Sequence, residues 1–131
     1  MIDLDNSYVN IQYNQRTESV EIVWKTAPTS EEFKIGMNQA IDSLEKHQTG
    51  SLLSNTTDLG ALSEADQQWS YTDWLERALA VGYQRFAVVV SPDIFAQMSV
   101  EDTLAHVQGV TIQYFDTVAE GQEWLLAKEP V

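Results

Sequence analysis

The feature that most constrains this fold is an unbroken apolar run near the middle of the chain, residues 86–90, which reads FAVVV. A strand with one solvent-exposed face alternates apolar and polar side chains, and this run does not alternate. It is also far shorter than the roughly 20 residues that span a bilayer. A β-branched run of this length predicts a central strand that is covered on both faces. We therefore expect helices on the two sides of a sheet.

Flanking patterns predict the rest of the sheet. Residues 9–13 and 20–24 alternate between apolar and polar, and the short turn between them favours an antiparallel hairpin. Residues 52–53 begin a third strand, and residues 111–115 form the last one. With the central run this gives about five strands, while residues 1–6 are expected to be a loose lead-in.

Helix-capping signals separate these strands. Thr29 with Glu32 and Ser63 with Asp66 have the spacing of capping boxes, and Ser91 before a proline predicts another helix start. The helices are expected to end at glycines: the first at Gly50, the second at Gly82. A further short helical piece is predicted from Ser99 to Gly109, and a terminal helix begins at Thr117 and runs to about Ala127.

Strands that alternate with helices imply crossover connections and parallel pairing. The predicted fold is therefore α/β: a mixed sheet of about five strands packed with about four helices. Its N-terminal hairpin is antiparallel, and the remaining strands are mostly parallel. A length of 131 residues fits a single domain, 1–131.

Charge and cysteine content exclude several classes of function. The chain carries 7 basic and 20 acidic residues, a net charge of −13, and its cations never cluster. Nucleic-acid binding needs grouped Lys and Arg, and the acidity opposes anionic membranes, so we expect neither a nucleic-acid partner nor membrane insertion. With no cysteine and with His47 and His106 far apart, we expect no metal or other cofactor. The N-terminus does not resemble a signal peptide, which predicts a cytoplasmic protein.

Polar residues follow the predicted strands, where the carboxyl ends of parallel strands form one edge and ligands commonly bind. Most of them have a structural explanation as helix caps, and Asp58, which has none, is expected to hold its loop through hydrogen bonds to backbone amides. The candidate ligand or partner rim consists of Asn55, Thr56, Asp58, Ser63, Ser91, Asp93 and Asp116.

Two tryptophans on the second helix suggest a contact surface. Trp69 and Trp74 lie five residues apart, about 140° around an ideal α-helix, so both cannot face one narrow core stripe. Trp is frequent in binding hot spots. The candidate interface is therefore Leu62, Trp69, Tyr71 and Trp74, with weak homodimerisation as its expected consequence.

Several short motifs in order resemble the small bacterial SpoIIAA-like proteins, which are related to STAS domains. The matching segments are 30–33 (SEEF), 57–59 (TDL), 63–66 (SEAD) with Trp69 and Trp74, 82–89 (GYQRFAVV), 92–95 (PDIF), 114–116 (YFD) and 124–125 (WL). The resemblance extends from about residue 9 to residue 126 and implies the same mixed α/β fold.

The resemblance implies docking rather than catalysis, because STAS domains mostly act as anti-sigma-factor antagonists, sensor adaptors and transporter tails. The antagonists carry an Asp-Ser-Ser-Gly stretch with a phosphorylatable serine, whereas residues 58–63 here read DLGALS. The leading prediction is thus a non-catalytic module that binds an unknown protein partner. The alternative is a domain that binds a small molecule or lipid in an apolar pocket beside residues 63–81, and an enzyme built on the Asp58 rim is a third reading.

Overall fold

A six-stranded mixed sheet is the backbone of the fold in a computed structural model, which describes residues 1–127. Neighbouring strands follow chain order; β1, β2 and β3 pair antiparallel, and β3 to β6 pair parallel. The strands are β1 (Ile2–Asp5), β2 (Val9–Asn14), β3 (Ser19–Trp24), β4 (Ser51–Asn55), β5 (Arg85–Val89) and β6 (Thr111–Phe115). The predicted fold class is confirmed with one more strand than expected. Residues 128–131 of the predicted domain lie outside the described residues.

The helices connect the parallel strands. α1 (Ser30–His47) joins β3 to β4, and α4 (Ile94–Leu104) joins β5 to β6. Between β4 and β5 runs one continuous helix made of α2 (Glu64–Trp69), a π-helical turn (Ser70–Trp74) and α3 (Leu75–Ala80); we call it the long helix, 64–80. The chain's last described element is α5 (Val118–Ala127).

Strand β5 is buried on both faces, as its sequence predicts. Phe86 and Val88 belong to the larger core, which lies between the sheet and the helices α1, 64–80 and α4. Ala87 and Val89 belong to a smaller core on the opposite face, where α5 covers the sheet with Leu125. All three crossover helices therefore share one face, and of the elements within residues 1–127 α5 covers the other.

Gly121 and Arg85 hold α5 against the sheet. A Cβ at Gly121 would lie 3.0 Å from Leu53 Cδ1, so close packing of α5 on the sheet accounts for a glycine inside this helix. The buried Arg85 guanidinium donates hydrogen bonds to the carbonyls of Trp124 and Leu125 and lies 4.4 Å from the Trp124 ring centre. A cation at these last carbonyls also suits the negative end of the helix dipole.

The prediction that residues 1–6 are a loose lead-in is wrong, because residues 2–5 form the edge strand β1. This strand is tied to the end of α1 through Asp3, which accepts hydrogen bonds from Lys46 Nζ at 3.0 Å and pairs with His47 Nε2 at 2.9 Å. A second contact joins Asp5 to Lys25 Nζ at 2.6 Å. The short alternating pattern of β1 gave too little signal for a strand, and its partners are distant in sequence.

Three helix boundaries also differ from prediction. Gln48 ends α1 in the left-handed conformation (φ 52°), so Gly50 is not the terminator. Asp93, rather than Ser91, caps α4 by accepting from the amides of Phe95 and Ala96. Residues 94–104 form one helix instead of two short pieces, since the Ser99 hydroxyl donates to the Ala96 carbonyl inside the helix and starts no new one.

We predict that Asp3→Asn lowers the free energy of unfolding by about 1–2 kcal/mol at pH 7. Partial burial raises the pKa of Asp3, but hydrogen bonds from Ser43, Lys46 and His47 outweigh it and hold the pKa below its ordinary value of 3.8. A lowered pKa means that this contribution is present above the ordinary value and is lost as the pH falls through the lowered one. Urea unfolding across this pH range measures the effect.

The matched control is Asp5→Asn on the same strand, whose exposed pair with Lys25 should contribute less. A loss at Asp3 that stays constant down to the lowest pH would show that the side chain acts through packing and not through its charge.

Candidate functional site

The predicted rim lies at the carboxyl edge of the parallel strands. Its buried residues form hydrogen bonds between the ends of neighbouring strands. Thr56 Oγ1 donates to the Val89 carbonyl at 2.6 Å, which joins the end of β4 to the end of β5. Ser91 Oγ donates to the carbonyl of Thr57 at 3.3 Å. The hydroxyls of Thr56 and Ser91 therefore hold the loops that follow β4 and β5 against each other.

The remaining rim residues serve their own loops and helices. Ser63 caps α2, as its position predicts, and Asp93 caps α4 in place of Ser91. Asn55 Oδ1 accepts from both the amide and the hydroxyl of Thr57, so Asn55 holds the turn that was assigned to Asp58. The expectation for Asp58 is wrong, because its exposed carboxylate accepts no hydrogen bond within residues 1–127. Asp116 is exposed at the end of β6.

The rim therefore offers little for acid–base or metal chemistry. Its polar side chains mostly serve backbone groups of their own loops and helices, while Asp58 and Asp116 are exposed on separate loops. Among the described residues, no group of three His, Asp or Glu side chains is arranged to hold a metal ion.

A π-helical turn changes the geometry of the two tryptophans. The Leu75 amide donates to the carbonyl of Ser70, which lies five residues earlier. In an α-helix the amide would donate to the carbonyl four residues earlier. This wider turn brings residues five apart towards one face, so the 140° separation of an ideal α-helix does not apply. Trp74 is buried in the larger core, where its Nε1 donates to the Met37 carbonyl at 2.7 Å, and Trp69 packs against the same core.

The candidate interface residues do not form one exposed patch. Trp69 contacts Phe33 edge-on and lies near two cations, Lys34 at 5.6 Å and Arg77 at 5.8 Å from the ring centre. Tyr71 stacks on His106 at 4.3 Å, which joins the long helix to the end of α4, and Leu62 is half-buried. Self-association through this surface stays a prediction, but no projecting tryptophan supports it.

An apolar cavity of about 60 Å³ lies between the sheet, α1, the long helix and α4. Its walls include Trp24, Phe33, Trp74, Tyr83 and Val100. Its hydroxyl groups are mostly spent on backbone carbonyls, as with Ser70 to Asp66 and Thr103 to Ser99. Burial raises the pKa of the Tyr83 hydroxyl well above its ordinary value, so that group stays neutral. The cavity is therefore suited only to an apolar ligand.

Sequence reasoning missed the most exposed apolar surface, which lies on α4. Ile94, Phe95 and Met98 are 67%, 73% and 52% exposed and follow one another at helical spacing; we call these three residues the α4 apolar face. All three side chains lie within the helical piece that the sequence predicts after Ser91. Apolar residues occur on both sides of this helix, since Ala96 and Val100 are buried, so periodicity alone did not show which side would face solvent.

A family model described as SpoIIAA-like matches residues 19–126, which cover most of the chain and every element from β3 to α5. The chain belongs to the SpoIIAA-like family. No curated protein and no solved structure matches it. Membership supports a STAS-type regulatory or interaction domain without assigning a specific role.

Within residues 1–127, no helix of this SpoIIAA-like chain combines the length and the apolar character that crossing a membrane requires.

We predict that Asn55→Ala lowers the free energy of unfolding of this SpoIIAA-like chain by about 1 kcal/mol, because two hydrogen bonds to Thr57 are lost. Asp58→Ala, three residues along the same loop, should change it by less than about 0.5 kcal/mol, since its carboxylate is exposed. Chemical denaturation of both variants checks the pair. A larger decrease in the free energy of unfolding for Asp58→Ala than for Asn55→Ala would show that Asp58, and not Asn55, holds the turn.

Proposed function

We propose that this SpoIIAA-like domain is a non-catalytic regulatory module that acts by docking another protein. The observation that carries the proposal is the α4 apolar face, where a phenylalanine 73% exposed is flanked by two further large apolar side chains. Single exposed apolar residues are ordinary, whereas a contiguous group on one helix is typical of an interaction surface.

The arrangement of the rim supports docking over catalysis. Enzymes usually bring two or more ionisable groups together with perturbed proton affinities. Here Asp93 holds a helix start, while Asp58 and Asp116 lie exposed on separate loops. The family match supports the same proposal at the level of a regulatory or interaction domain.

Site-specific photo-crosslinking in cells tests the docking proposal. A photoreactive analogue at Phe95 should give discrete protein adducts on illumination, because this side chain would lie inside the interface. The same analogue at Asp42, exposed on the outer side of α1, is the matched control and should give none. Adducts of equal yield at both positions, or none at position 95, would contradict docking through α4.

The apolar cavity favours a second candidate function, the binding of a small apolar molecule. Its volume of about 60 Å³ is well below the roughly 150 Å³ of an engineered cavity that binds benzene. It therefore has no room for a lipid tail unless the long helix and α4 separate. In the structure as it stands, the ligand would be no larger than a few heavy atoms.

Xenon is a probe of suitable size for this second candidate. Bound xenon should give a distinct ¹²⁹Xe NMR shift in the wild-type protein. Val100→Met, which places a longer and flexible side chain at the cavity wall, should abolish that shift, while Ile94→Met at an exposed position of the same helix should retain it. A signal that survives Val100→Met would place the xenon elsewhere.

A further inference from the structure

We propose that the α4 apolar face binds a basic amphipathic helix of a partner protein, an inference that rests on the docking function proposed above. The geometry that points to this partner is an apolar centre bordered by carboxylates that have no salt-bridge partner among residues 1–127. Such a surface fits a helix whose apolar side chains meet the α4 face and whose flanking positions carry Lys or Arg.

Carboxylates border the face at both ends. Asp93 precedes Ile94, and Glu101 and Asp102 follow Met98 by three and four residues, one helical turn further along the exposed side. Glu64 at the start of the long helix lines a shallow groove together with Asp102. None of these four carboxylates forms a salt bridge with a residue in the described part of the chain.

The described cations are engaged on other elements. Arg16, Lys25, Lys46 and Arg77 pair with carboxylates of α5, β1 and the π-helical turn. Lys34 lies over the Trp69 ring, and Arg85 is buried beneath α5. No described cation therefore pairs with the carboxylates around the α4 apolar face. Asp93 is compensated in part by the first amides of α4, whereas Glu64, Glu101 and Asp102 keep a negative charge that a basic partner would complement.

Other occupants match this surface less well. A second copy would bring carboxylates against carboxylates across a two-fold axis, on chains that each carry a net charge of −13. An anionic membrane would meet the same repulsion. A basic helix gains from both components of the surface, since its apolar stripe covers Ile94, Phe95 and Met98 while its charges face the border.

A displayed library of helical peptides with a fixed apolar stripe and randomised flanking positions tests the partner's chemistry. Selection on the full chain should enrich Lys and Arg at the flanks several-fold over the unselected library. The best peptide, made synthetically and measured by fluorescence anisotropy, should bind at least tenfold more weakly to Phe95→Ser with Met98→Ser. These side chains are exposed, so the variant should keep the wild-type circular dichroism spectrum and melting temperature.

The charged border has its own matched variants. Glu101→Gln with Asp102→Asn should weaken the same peptide at least fivefold and reduce the salt dependence of its binding. Asp42→Asn with Glu45→Gln removes two exposed carboxylates from α1 and should leave the affinity unchanged. An equal effect of both pairs would reduce the interaction to general attraction by the net charge and overturn the proposal.

The remaining outcomes separate this inference from the function it rests on. Selected peptides with acidic or neutral flanks would overturn the basic partner, while crosslinks at position 95 would still support docking. Failure of both experiments would remove docking as well. Binding to vesicles of phosphatidylglycerol and phosphatidylcholine without any selected peptide would assign the α4 apolar face to a lipid surface and overturn the proposal.

Discussion

The double burial of β5 is the constraint on which the rest of the structure depends. A strand with Phe86 and Val88 on one face and Ala87 and Val89 on the other is stable only if both faces are covered. Three crossover helices cover the first face, and α5 covers the second. The glycine at position 121 and the guanidinium of Arg85 follow from this requirement, because α5 must approach closely and its last carbonyls lie over the sheet.

The same constraint accounts for the exposed side of α4. This helix buries Ala96 and Val100 towards the core, and it packs against the long helix. It is the last of the three crossovers on its face, and β6 is the last strand of the sheet. No further described element lies beyond it, so Ile94, Phe95 and Met98 remain in contact with solvent. A folding requirement at the centre of the sheet thus leaves one helix with an uncovered outer side.

The sequence predicted what depends on local periodicity and capping, and missed what depends on distant contacts. The hairpin, the central strand and the capping box at Thr29 were accessible, because each has a signal within a few residues. Strand β1 was not, since Asp3 is held by Lys46 and His47 more than forty residues away. The rim residues were placed correctly at the strand ends, but only the structure shows that Asn55 and not Asp58 holds the turn.

The π-helical turn in the long helix has a consequence for how this chain tolerates changes of length. A π turn contains one residue more than the α-helical turn that it replaces. Deleting one residue within 70–74 would restore regular α geometry, and the positions before and after the turn would keep nearly the same angular phase, because the π turn absorbs the extra residue within a single turn. Trp69 and Trp74 would then lie four residues apart, about 40° around an α-helix, and would still face the same core. If the extra residue were kept in regular α geometry instead, one half of the helix would rotate by about 100°, and Trp69 would leave the side of Phe33. The π turn therefore lets the helix carry one additional residue without repacking either half of the core.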